Sequence, residues 1–249
     1  MKLSGKSVLV TGGASGIGQA VALACASEGA DVAITYATSD PAETTRRIQA
    51  AGGKALALEA DLRREEDCES IVKKTLSTFG DLDVLVANAG GLVKRSRAVE
   101  TSLEVWNEAL ALNLTSTFLC CRAALRHMEP HRKGNLILVS SLAAHDGGGF
   151  GASHYAAAKG AVLTYTRALA KEVGPLGIRV NGLAPGLIAT RFHDTFTPAE
   201  ARKATVERTP LRREGTPWDV AAAALFLASD ASSFLTGETI EVNGGLGVY

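Results

Sequence analysis

The chain has 249 residues, of which 46% are hydrophobic and 21% are charged, and its 26 basic side chains match 26 acidic ones. This composition is typical of a globular protein whose core needs no disulfide or metal. Nucleic-acid and membrane-surface partners usually demand a basic excess, so we expect neither kind of partner.

Short apolar runs alternate with longer stretches rich in Ala, Leu, Arg and Glu. The runs predict strands at Ser7–Val10, Asp31–Thr35, Lys54–Leu58, Val84–Ala87, Asn135–Ser140, Ile178–Leu183 and Thr239–Val242. The stretches between them predict helices at Ile17–Glu28, Pro41–Ala51, Arg64–Phe79, Ser102–Met128 and Tyr155–Val173. Because the strands lack a polar face and the crossovers are long, we expect an α/β fold with a parallel sheet covered by helices on both faces.

No linker rich in Pro, Gly or Ser divides the chain, so we expect one domain over residues 1–249. The segment 187–214 is polar and charged and interrupts the alternation before the last strand. Such a long excursion in a compact α/β domain is usually a lid or a binding loop.

The sequence contains no targeting or metal-binding signal that we recognise. The N-terminal segment has no apolar stretch long enough for a signal peptide, and no run approaches the ~20 residues of a membrane span. We therefore expect a cytoplasmic protein. The four cysteines follow no metal or redox spacing, so we expect buried thiols and no bound metal.

A glycine-rich turn follows the first strand and opens the first helix, with the sequence Thr11-Gly-Gly-Ala-Ser-Gly-Ile-Gly18. Glycines let backbone N–H groups approach a pyrophosphate, and the helix N-terminus favours the negative charge. A glycine triplet alone is weak evidence, but the strand–turn–helix context is the one that the motif requires. The turn therefore predicts a dinucleotide site.

Four motifs occur in order along the chain: the glycine turn, Asn88-Ala89-Gly90, Tyr155-Ala-Ala-Ala-Lys159 and Pro185-Gly186. Together they resemble the short-chain dehydrogenase/reductase family over nearly the whole chain, in particular the branch of 3-oxoacyl-carrier-protein reductases and of glucose and sugar dehydrogenases. The resemblance implies a doubly wound Rossmann domain with a seven-stranded parallel sheet. It also implies a homotetramer with interfaces on the helices around residues 102–128 and 155–173.

Tyr155 and Lys159 are one helical turn apart and are expected on the same helix face. A free Tyr with a pKa of about 10 is a poor base at pH 7, and a nearby cation favours its phenolate. We therefore predict Tyr155 as the general acid/base and expect Lys159 to lower its pKa and to bond the cofactor ribose.

Two further catalytic residues are implied by the resemblance. Ser141 is expected to bond the substrate oxygen, although it lies fourteen positions before Tyr155, one more than is usual in the family. We place the extra residue in the loop 147–151, and Ser140 remains the alternative. Asn113 matches the family residue that holds a water in a proton relay with Lys159, and its alternative role is to bond its own helix backbone.

The cofactor residues expected from these motifs line the predicted crevice. They are Gly12, Ser15, Gly16, Ile17, Gly18, Tyr36, Thr38, Ser39, Asp61, Leu62, Asn88, Ala89, Gly90, Tyr155, Lys159, Pro185, Gly186, Ile188 and Thr190. The acidic residue that bonds the ribose 2′-OH in NAD users is absent after the second strand, where Tyr36 stands near its place. Thr38 and Ser39 suit a 2′-phosphate, so NADP(H) is favoured and NAD(H) stays possible.

The substrate is the least constrained part of the prediction. Arg95, His154, Arg191 and His193 are candidate substrate residues, and the two arginines would suit a carboxylate or phosphate. We expect reduction of a carbonyl, or oxidation of the matching alcohol, on a small polar substrate such as a sugar acid or polyhydroxy carbonyl.

Two alternatives remain at this stage. A 3-oxoacyl-carrier-protein reductase would use an acidic-partner patch at Arg126, His127, Arg132 and Lys133. A non-catalytic, cofactor-sensing regulator would need only the cofactor site, and the complete set of catalytic residues speaks against it.

Overall fold

The seven predicted strands form one parallel sheet in the computed structural model, which describes residues 2–249. The strands are β1 (Ser7–Val10), β2 (Asp31–Tyr36), β3 (Ala55–Glu59), β4 (Val84–Ala87), β5 (Gly134–Val139), β6 (Ile178–Pro185) and β7 (Thr239–Val242). Their order is β3-β2-β1-β4-β5-β6-β7, so the winding direction reverses between β1 and β4. The predicted Rossmann-type fold is confirmed, and the reversal marks the crevice where such sheets bind dinucleotides.

Helices cover both faces of the sheet. They are α1 (Gly16–Ser27), α2 (Ala42–Ala50), α3 (Glu65–Phe79), α4 (Leu103–Leu110), α5 (Ser116–His131), α6 (Ala143–Asp146), α7 (Ser153–Val173), α8 (Arg191–Phe196), α9 (Ala199–Arg208) and α10 (Pro217–Ala228). The single helix predicted over Ser102–Met128 is wrong, because a π-helical turn at Ala111–Thr115 separates α4 from α5. Helices α6, α8, α9 and α10 were not predicted, and α8 and α9 build the excursion 187–214.

Two apolar layers hold the sheet between the helices. Alternate residues of β1 enter opposite layers, with Val8 and Val10 packing beside α1 and α10, and Leu9 packing beside α3, α5 and α7. All three side chains are fully buried. Burial on both faces explains why the strands read as continuous apolar runs rather than as alternating ones.

The four cysteines are buried in these layers, as expected. Cys68 and Cys120 approach to 3.7 Å between their Sγ atoms, on the facing helices α3 and α5. Burial raises the pKa of the Cys25 and Cys121 thiols to about 12, so neither is a nucleophile at neutral pH. Nowhere in residues 2–249 is there a helix that combines the length and apolar character needed to cross a bilayer.

Candidate active site

A cleft of about 1530 Å³ runs along the carboxyl ends of the strands, from the end of β2 to the start of α7. Most of the predicted cofactor residues line it, including the glycine turn, the 88–90 segment and the residues that follow β6. Gly18, Asp61 and Leu62 are the exceptions. The cleft therefore joins motifs that are distant in sequence, as the resemblance implied.

The turn after β1 adopts a backbone that requires glycine. Gly12 and Gly16 have φ values of +64° and +56°, in the left-handed region. A Cβ atom on Gly18 would lie 2.3 Å from the Gly12 carbonyl oxygen, so a side chain there is excluded. Gly18 contributes by letting α1 begin against the turn, not by lining the cleft.

The 88–90 segment is fastened to the same turn. Thr11 Oγ1 accepts hydrogen bonds of 2.9 Å from the backbone amides of Asn88 and Ala89. The Asn88 side chain donates to the Thr11 carbonyl at 2.9 Å. These bonds fix the carboxyl ends of β1 and β4 together, and they define the floor of the cleft.

The residue that ends β2 is not a carboxylate, although Asp40 and Glu43 also line this part of the cleft. Tyr36 closes the strand, and the hydroxyls of Thr38, Ser39 and Ser15 line the cleft beside it, with Ser39 and Ser15 Oγ atoms 3.5 Å apart. Arg47 of α2 also lines the cleft, 3.6 Å from Glu43. Sequence reasoning missed this cation because it lies eleven residues beyond the end of the strand.

Asp61 and Leu62 lie outside the cleft. The Asp61 carboxylate accepts two hydrogen bonds, of 2.7 and 2.8 Å, from the Arg63 guanidinium, and this pairing lowers the pKa of Asp61. Leu62 is buried in the apolar layer beneath α3. The expected contact of these two residues with the adenine stays a prediction.

Tyr155 and Lys159 face the cleft from α7, as the four-residue spacing predicts. The Lys159 Nζ atom lies 5.8 Å from the centre of the Tyr155 ring and donates a 2.8 Å hydrogen bond to the Val139 carbonyl. Lys159 is only 3% exposed, and burial lowers its pKa to about 8. A buried amine of this kind holds a proton at neutral pH and releases it readily.

The Tyr155 pKa is raised, chiefly because protein atoms remove water from the phenol. A hydrogen bond between the Tyr155 and Ser141 side chains acts in the opposite direction and lowers that pKa. The Lys159 pKa of about 8 lies below the raised pKa of the phenol, so the amine is mostly neutral at the pH at which Tyr155 ionises. At neutral pH the Lys159 ammonium lies 5.8 Å from the centre of the ring, where its charge favours the phenolate.

Ser140 and Ser141 have separate environments. The Ser140 hydroxyl is buried and donates to the Lys159 carbonyl at 2.8 Å, so it secures α7 to the end of β5. Ser141 lines the cleft, and its Oγ accepts a 3.2 Å hydrogen bond from the Ala143 amide. Both serines line the cleft, but of the two only Ser141 lowers the pKa of Tyr155.

Asn113 lies in the π-helical turn between α4 and α5 and is fully buried. Its side chain accepts from the Gly91 amide at 2.9 Å and donates to the carbonyls of Gly91 and Ala109. A Cβ atom on Gly90 would lie 2.6 Å from Asn113 Oδ1 and 3.1 Å from Lys159 Nζ. Asn113 thus bonds its own helix, and it also borders the lysine.

The segment after β6 runs from the end of that strand to the glycine turn. The Gly186 amide donates to Val242 at 3.0 Å, and Ile188 forms a parallel bridge with Gly215. The Thr190 hydroxyl donates to the Ile188 carbonyl at 3.2 Å. Because Thr190 borders Gly16, helix α8 begins next to the glycine turn.

Three of the four predicted substrate residues line the cleft. Arg95 donates to the carbonyls of Phe150 and Phe196 at 2.6 and 2.7 Å, so it joins the two loops at the substrate end. Arg191 is exposed at the start of α8. His193 contacts Thr197 Oγ1 at 2.9 Å, and burial followed by the Arg202 charge lowers its pKa, which favours a neutral imidazole.

His154 does not belong with this group. It is fully buried, it lies outside the cleft lining, and burial lowers its pKa. Successive helix residues point about 100° apart, so a neighbour of Tyr155 need not share its face. Phe192 of α8 was missed by sequence reasoning, yet its ring centre lies 5.8 Å from that of Tyr155.

These residues fit a nicotinamide dinucleotide. The glycine turn presents backbone N–H groups at a helix N-terminus, and Gly90 leaves open space where a side chain would meet Asn113 and Lys159. Tyr36, at the end of β2, and Tyr155, on α7, line the same cleft. The cleft therefore has room for both halves of the dinucleotide.

Comparisons with known proteins agree with this geometry. Residues 12–247 match a family described as "Enoyl-(Acyl carrier protein) reductase". Glucose 1-dehydrogenase 2 of Bacillus subtilis is 38% identical over 99% of this chain and 96% of its own length. A 3-oxoacyl-acyl-carrier-protein reductase of Vibrio cholerae is 37% identical, with 99% of both chains covered.

The fold comparison points the same way. A 7α-hydroxysteroid dehydrogenase, solved with NADH and 7-oxo glycochenodeoxycholic acid, superposes with a TM-score of 0.93 at 33% identity, covering 98% of this chain and 95% of that one. Its ligands belong to that protein. With a family match over most of the chain and relatives of this identity, the chain belongs to the short-chain dehydrogenase/reductase family and is an oxidoreductase.

Proposed function

We propose that this enzyme interconverts a carbonyl and the matching alcohol on a small polar substrate, with NADP(H) as the favoured cofactor and NAD(H) as a possible one. The observation that carries the proposal is that Tyr155, Ser141 and Lys159 line the same cleft as the glycine turn, with the Lys159 Nζ atom 5.8 Å from the centre of the phenol ring. These are the groups that a hydride transfer needs for moving a proton at the same carbon–oxygen bond.

A bound nicotinamide supplies the hydride in reduction and accepts it in oxidation. In reduction, the Tyr155 phenol donates its proton to the substrate oxygen, and the Ser141 hydroxyl bonds that oxygen. The raised pKa keeps the phenol protonated at neutral pH, which suits the reductive direction. Lys159 would bond the ribose and return a proton to Tyr155.

Asn113 would complete the proton path through a bound water. Its position beside Gly90 and Lys159 supports this role. Its hydrogen bonds to Gly91 and Ala109 also hold the π-helical turn, so the two roles considered from the sequence are compatible. The turn is what keeps the amide next to the lysine.

The cofactor preference is supported by the environment at the end of β2. Ser15, Thr38 and Ser39 offer hydroxyls, and no carboxylate stands at the strand end. Arg47 adds a cation to the same wall of the cleft, although Glu43 beside it offsets part of that charge. A 2′-phosphate is therefore tolerated, and NADP(H) is favoured.

The substrate end favours a polar molecule with an anionic group. Two of the three guanidinium nitrogens of Arg95 donate to backbone carbonyls, so its charge is fixed at the cleft. Arg191 adds a second, exposed cation, and the neutral His193 imidazole offers a hydrogen bond. A sugar acid or another polyhydroxy carbonyl fits this combination.

The carrier-protein alternative has less support. The candidate basic patch is largely neutralised within the chain: Arg126 pairs with Glu69, and Lys133 pairs with Asp83 at 2.5 Å. His127 contacts Asp81 at 2.7 Å. The cofactor-sensing regulator is disfavoured as well, because the catalytic residues are intact and adjoin one another.

We further propose a cytoplasmic homotetramer. The faces of α4 and α5 expose Leu103 at 72%, Trp106 at 37% and Phe118 at 40%, which is unusual for the surface of a monomer. A second copy of the chain would cover these side chains. Buried, unpaired thiols are in keeping with a reducing compartment.

A panel of carbonyl compounds tests the reaction. Sugar acids, ketoses and an acetoacetyl thioester are each incubated with NADPH or NADH, and loss of the reduced cofactor is followed. We expect turnover of polyhydroxy and anionic carbonyls, faster with NADPH. Preference for the thioester would instead support the carrier-protein alternative, and uniformly absent turnover would support the sensor.

A further inference from the structure

Ser141 begins a short, tightly bonded segment, residues 141–146, which we call the serine turn. The Ala143 and Ala144 amides donate to the Ser141 hydroxyl and carbonyl at 3.2 and 2.9 Å. The Leu142 amide donates to the Pro185 carbonyl at 2.9 Å. Because these bonds couple Ser141 to α6, a displacement of α6 would displace the hydroxyl that bonds Tyr155.

His145 is where the serine turn contacts the C-terminal part of the chain. Its Nε2 atom lies 3.0 Å from Glu241 Oε1 of β7, and the two side chains are 14% and 21% exposed. The Tyr249 ring stacks on the imidazole, with centroids 4.1 Å apart and planes 11° from parallel. The imidazole thus has a carboxylate at its edge, in close contact without hydrogen-bond geometry, and a phenol ring on its face.

Glu241 is itself fixed, and the residues just before Tyr249 pack against the serine turn. Asn243 Nδ2 donates to Glu241 at 3.2 Å and to the Gly247 carbonyl at 2.9 Å. A Cβ atom on Gly247 would lie 2.6 Å from Leu142 Cδ1, so the final residues pack directly against the serine turn. None of His145, Glu241 and Tyr249 lines the cleft.

We propose that His145, held by Glu241 and Tyr249, is a positioning residue that keeps the Ser141 hydroxyl at the Tyr155 phenol. The inference rests on the proposed function, because the position of Ser141 matters only if its hydroxyl takes part in the reaction. Since the three residues do not border the cofactor or substrate space, they act through the serine turn.

Displacement of Ser141 should change the pH dependence of carbonyl reduction in a specific way. The Ser141 hydrogen bond lowers the Tyr155 pKa, so its loss raises that pKa. Carbonyl reduction needs the protonated phenol, and its rate falls as pH rises through the Tyr155 pKa. Displacing Ser141 therefore moves this alkaline limb to higher pH. The other charged or titratable groups that line this end of the cleft are Arg95, Lys159, Arg191, His193 and Asp194, which lie outside the serine turn, and Asp146, which lies within it.

The test compares Ser141→Ala, His145→Ala and the double variant, with NADPH and the carbonyl that the panel identifies as reduced fastest. We expect each single variant to lower kcat roughly tenfold or more, the loss associated with a hydrogen bond to a charged group. Both single variants should move the alkaline limb of the pH–rate profile to higher pH. The double variant should match Ser141→Ala, because both changes remove one interaction. The Kd for NADPH should stay unchanged.

A second pair of variants keeps the test decisive if His145→Ala does not fold. Tyr249→Phe retains the stacked ring and should behave as the wild type, whereas Tyr249→Ala should reproduce the kcat and pH effects. Glu238→Gln is the matched control, because Glu238 is an exposed carboxylate directly before β7. The inference would be overturned if the kcat losses of the two single variants multiplied in the double variant. It would also be overturned if the variants lost NADPH binding together with kcat.

The catalytic role of Ser141 and the positioning role of His145 can be refuted separately. If Ser141→Ala keeps the wild-type kcat and pH profile, the catalytic assignment itself is wrong. If Ser141→Ala is impaired while His145→Ala and Tyr249→Ala are not, the positioning role alone is wrong.

Discussion

The Lys159 ammonium stands 5.8 Å from the centre of the Tyr155 ring while it donates a 2.8 Å hydrogen bond to the Val139 carbonyl. The lysine is therefore anchored to β5 and not to the phenol. Ser141 lowers the pKa of the Tyr155 phenol, whereas Lys159 is held by Val139, so the proposed acid/base group and its cation have different neighbours. Four predictions test these two residues, the cofactor preference and the substrate-binding residues.

Removing the Tyr155 hydroxyl should abolish proton transfer and leave the cleft intact. We expect Tyr155→Phe to lower kcat at least 10²-fold, the usual contribution of a positioned acid or base. Binding of NADPH, measured as a Kd by fluorescence titration, should be unchanged. Tyr165→Phe on the same helix is the control, and comparable turnover by both variants would refute the assignment.

Lys159 should make folding stability depend on pH. Its folded pKa of about 8 lies below the ordinary value of 10.5, so the unfolded chain binds the extra proton between these two pH values. Stability of the wild type relative to Lys159→Met should therefore rise by about 3 kcal/mol as pH increases from 8 to 10.5. Chemical denaturation at several pH values measures this difference.

A flat difference between the two proteins across that pH range would show that the amine is not buried as the structure has it. The same variant should lose activity at every pH, because Met offers no proton and no hydrogen bond to the ribose.

Placing a carboxylate at the end of β2 should reverse the cofactor preference. We expect Tyr36→Asp to raise the Kd for NADPH at least tenfold through repulsion of the 2′-phosphate, and to lower the Kd for NADH through a bond to the 2′-OH. Tyr36→Phe is the control for loss of the ring hydroxyl. If Tyr36→Asp raised the Kd for NADPH and the Kd for NADH by the same factor, the proposed position of the ribose would be wrong.

The two arginines at the substrate end should have distinguishable effects. Arg191→Ala removes an exposed charge and should raise KM for anionic carbonyls while sparing neutral ones. Arg95→Ala also releases the Phe150 and Phe196 carbonyls, so we expect it to lower kcat for every substrate in addition. Steady-state kinetics on a matched anionic and neutral pair decide this, and equal KM changes for both members would exclude an anion site.

Local sequence signals predicted the sheet, the glycine turn and the Tyr155–Lys159 face, because each depends on short-range spacing. Helix α10 also had a local signal, since Thr216 and Asp219 form a capping box around Pro217, but it was overlooked. The family resemblance identified Ser141 and Asn113, whereas the sequence alone left Ser140 open.

Other parts of the site depend on contacts between distant segments. Phe192 meets Tyr155 only because α8 folds back over the cleft, and Tyr249 meets His145 across more than one hundred residues. Neither contact has a sequence spacing that predicts it. His154 was misassigned for the opposite reason, because adjacency along a helix was taken for adjacency in space.

The π-helical turn at Ala111–Thr115 has a consequence for engineering this enzyme. Deleting one residue there would let α4 and α5 join as a single regular helix, which is the more stable local arrangement. Everything on one side of the deletion would rotate by about 100° relative to the other. The Asn113 amide would leave Gly91 and the lysine, so a shorter and locally better helix would come at the expense of the proton path.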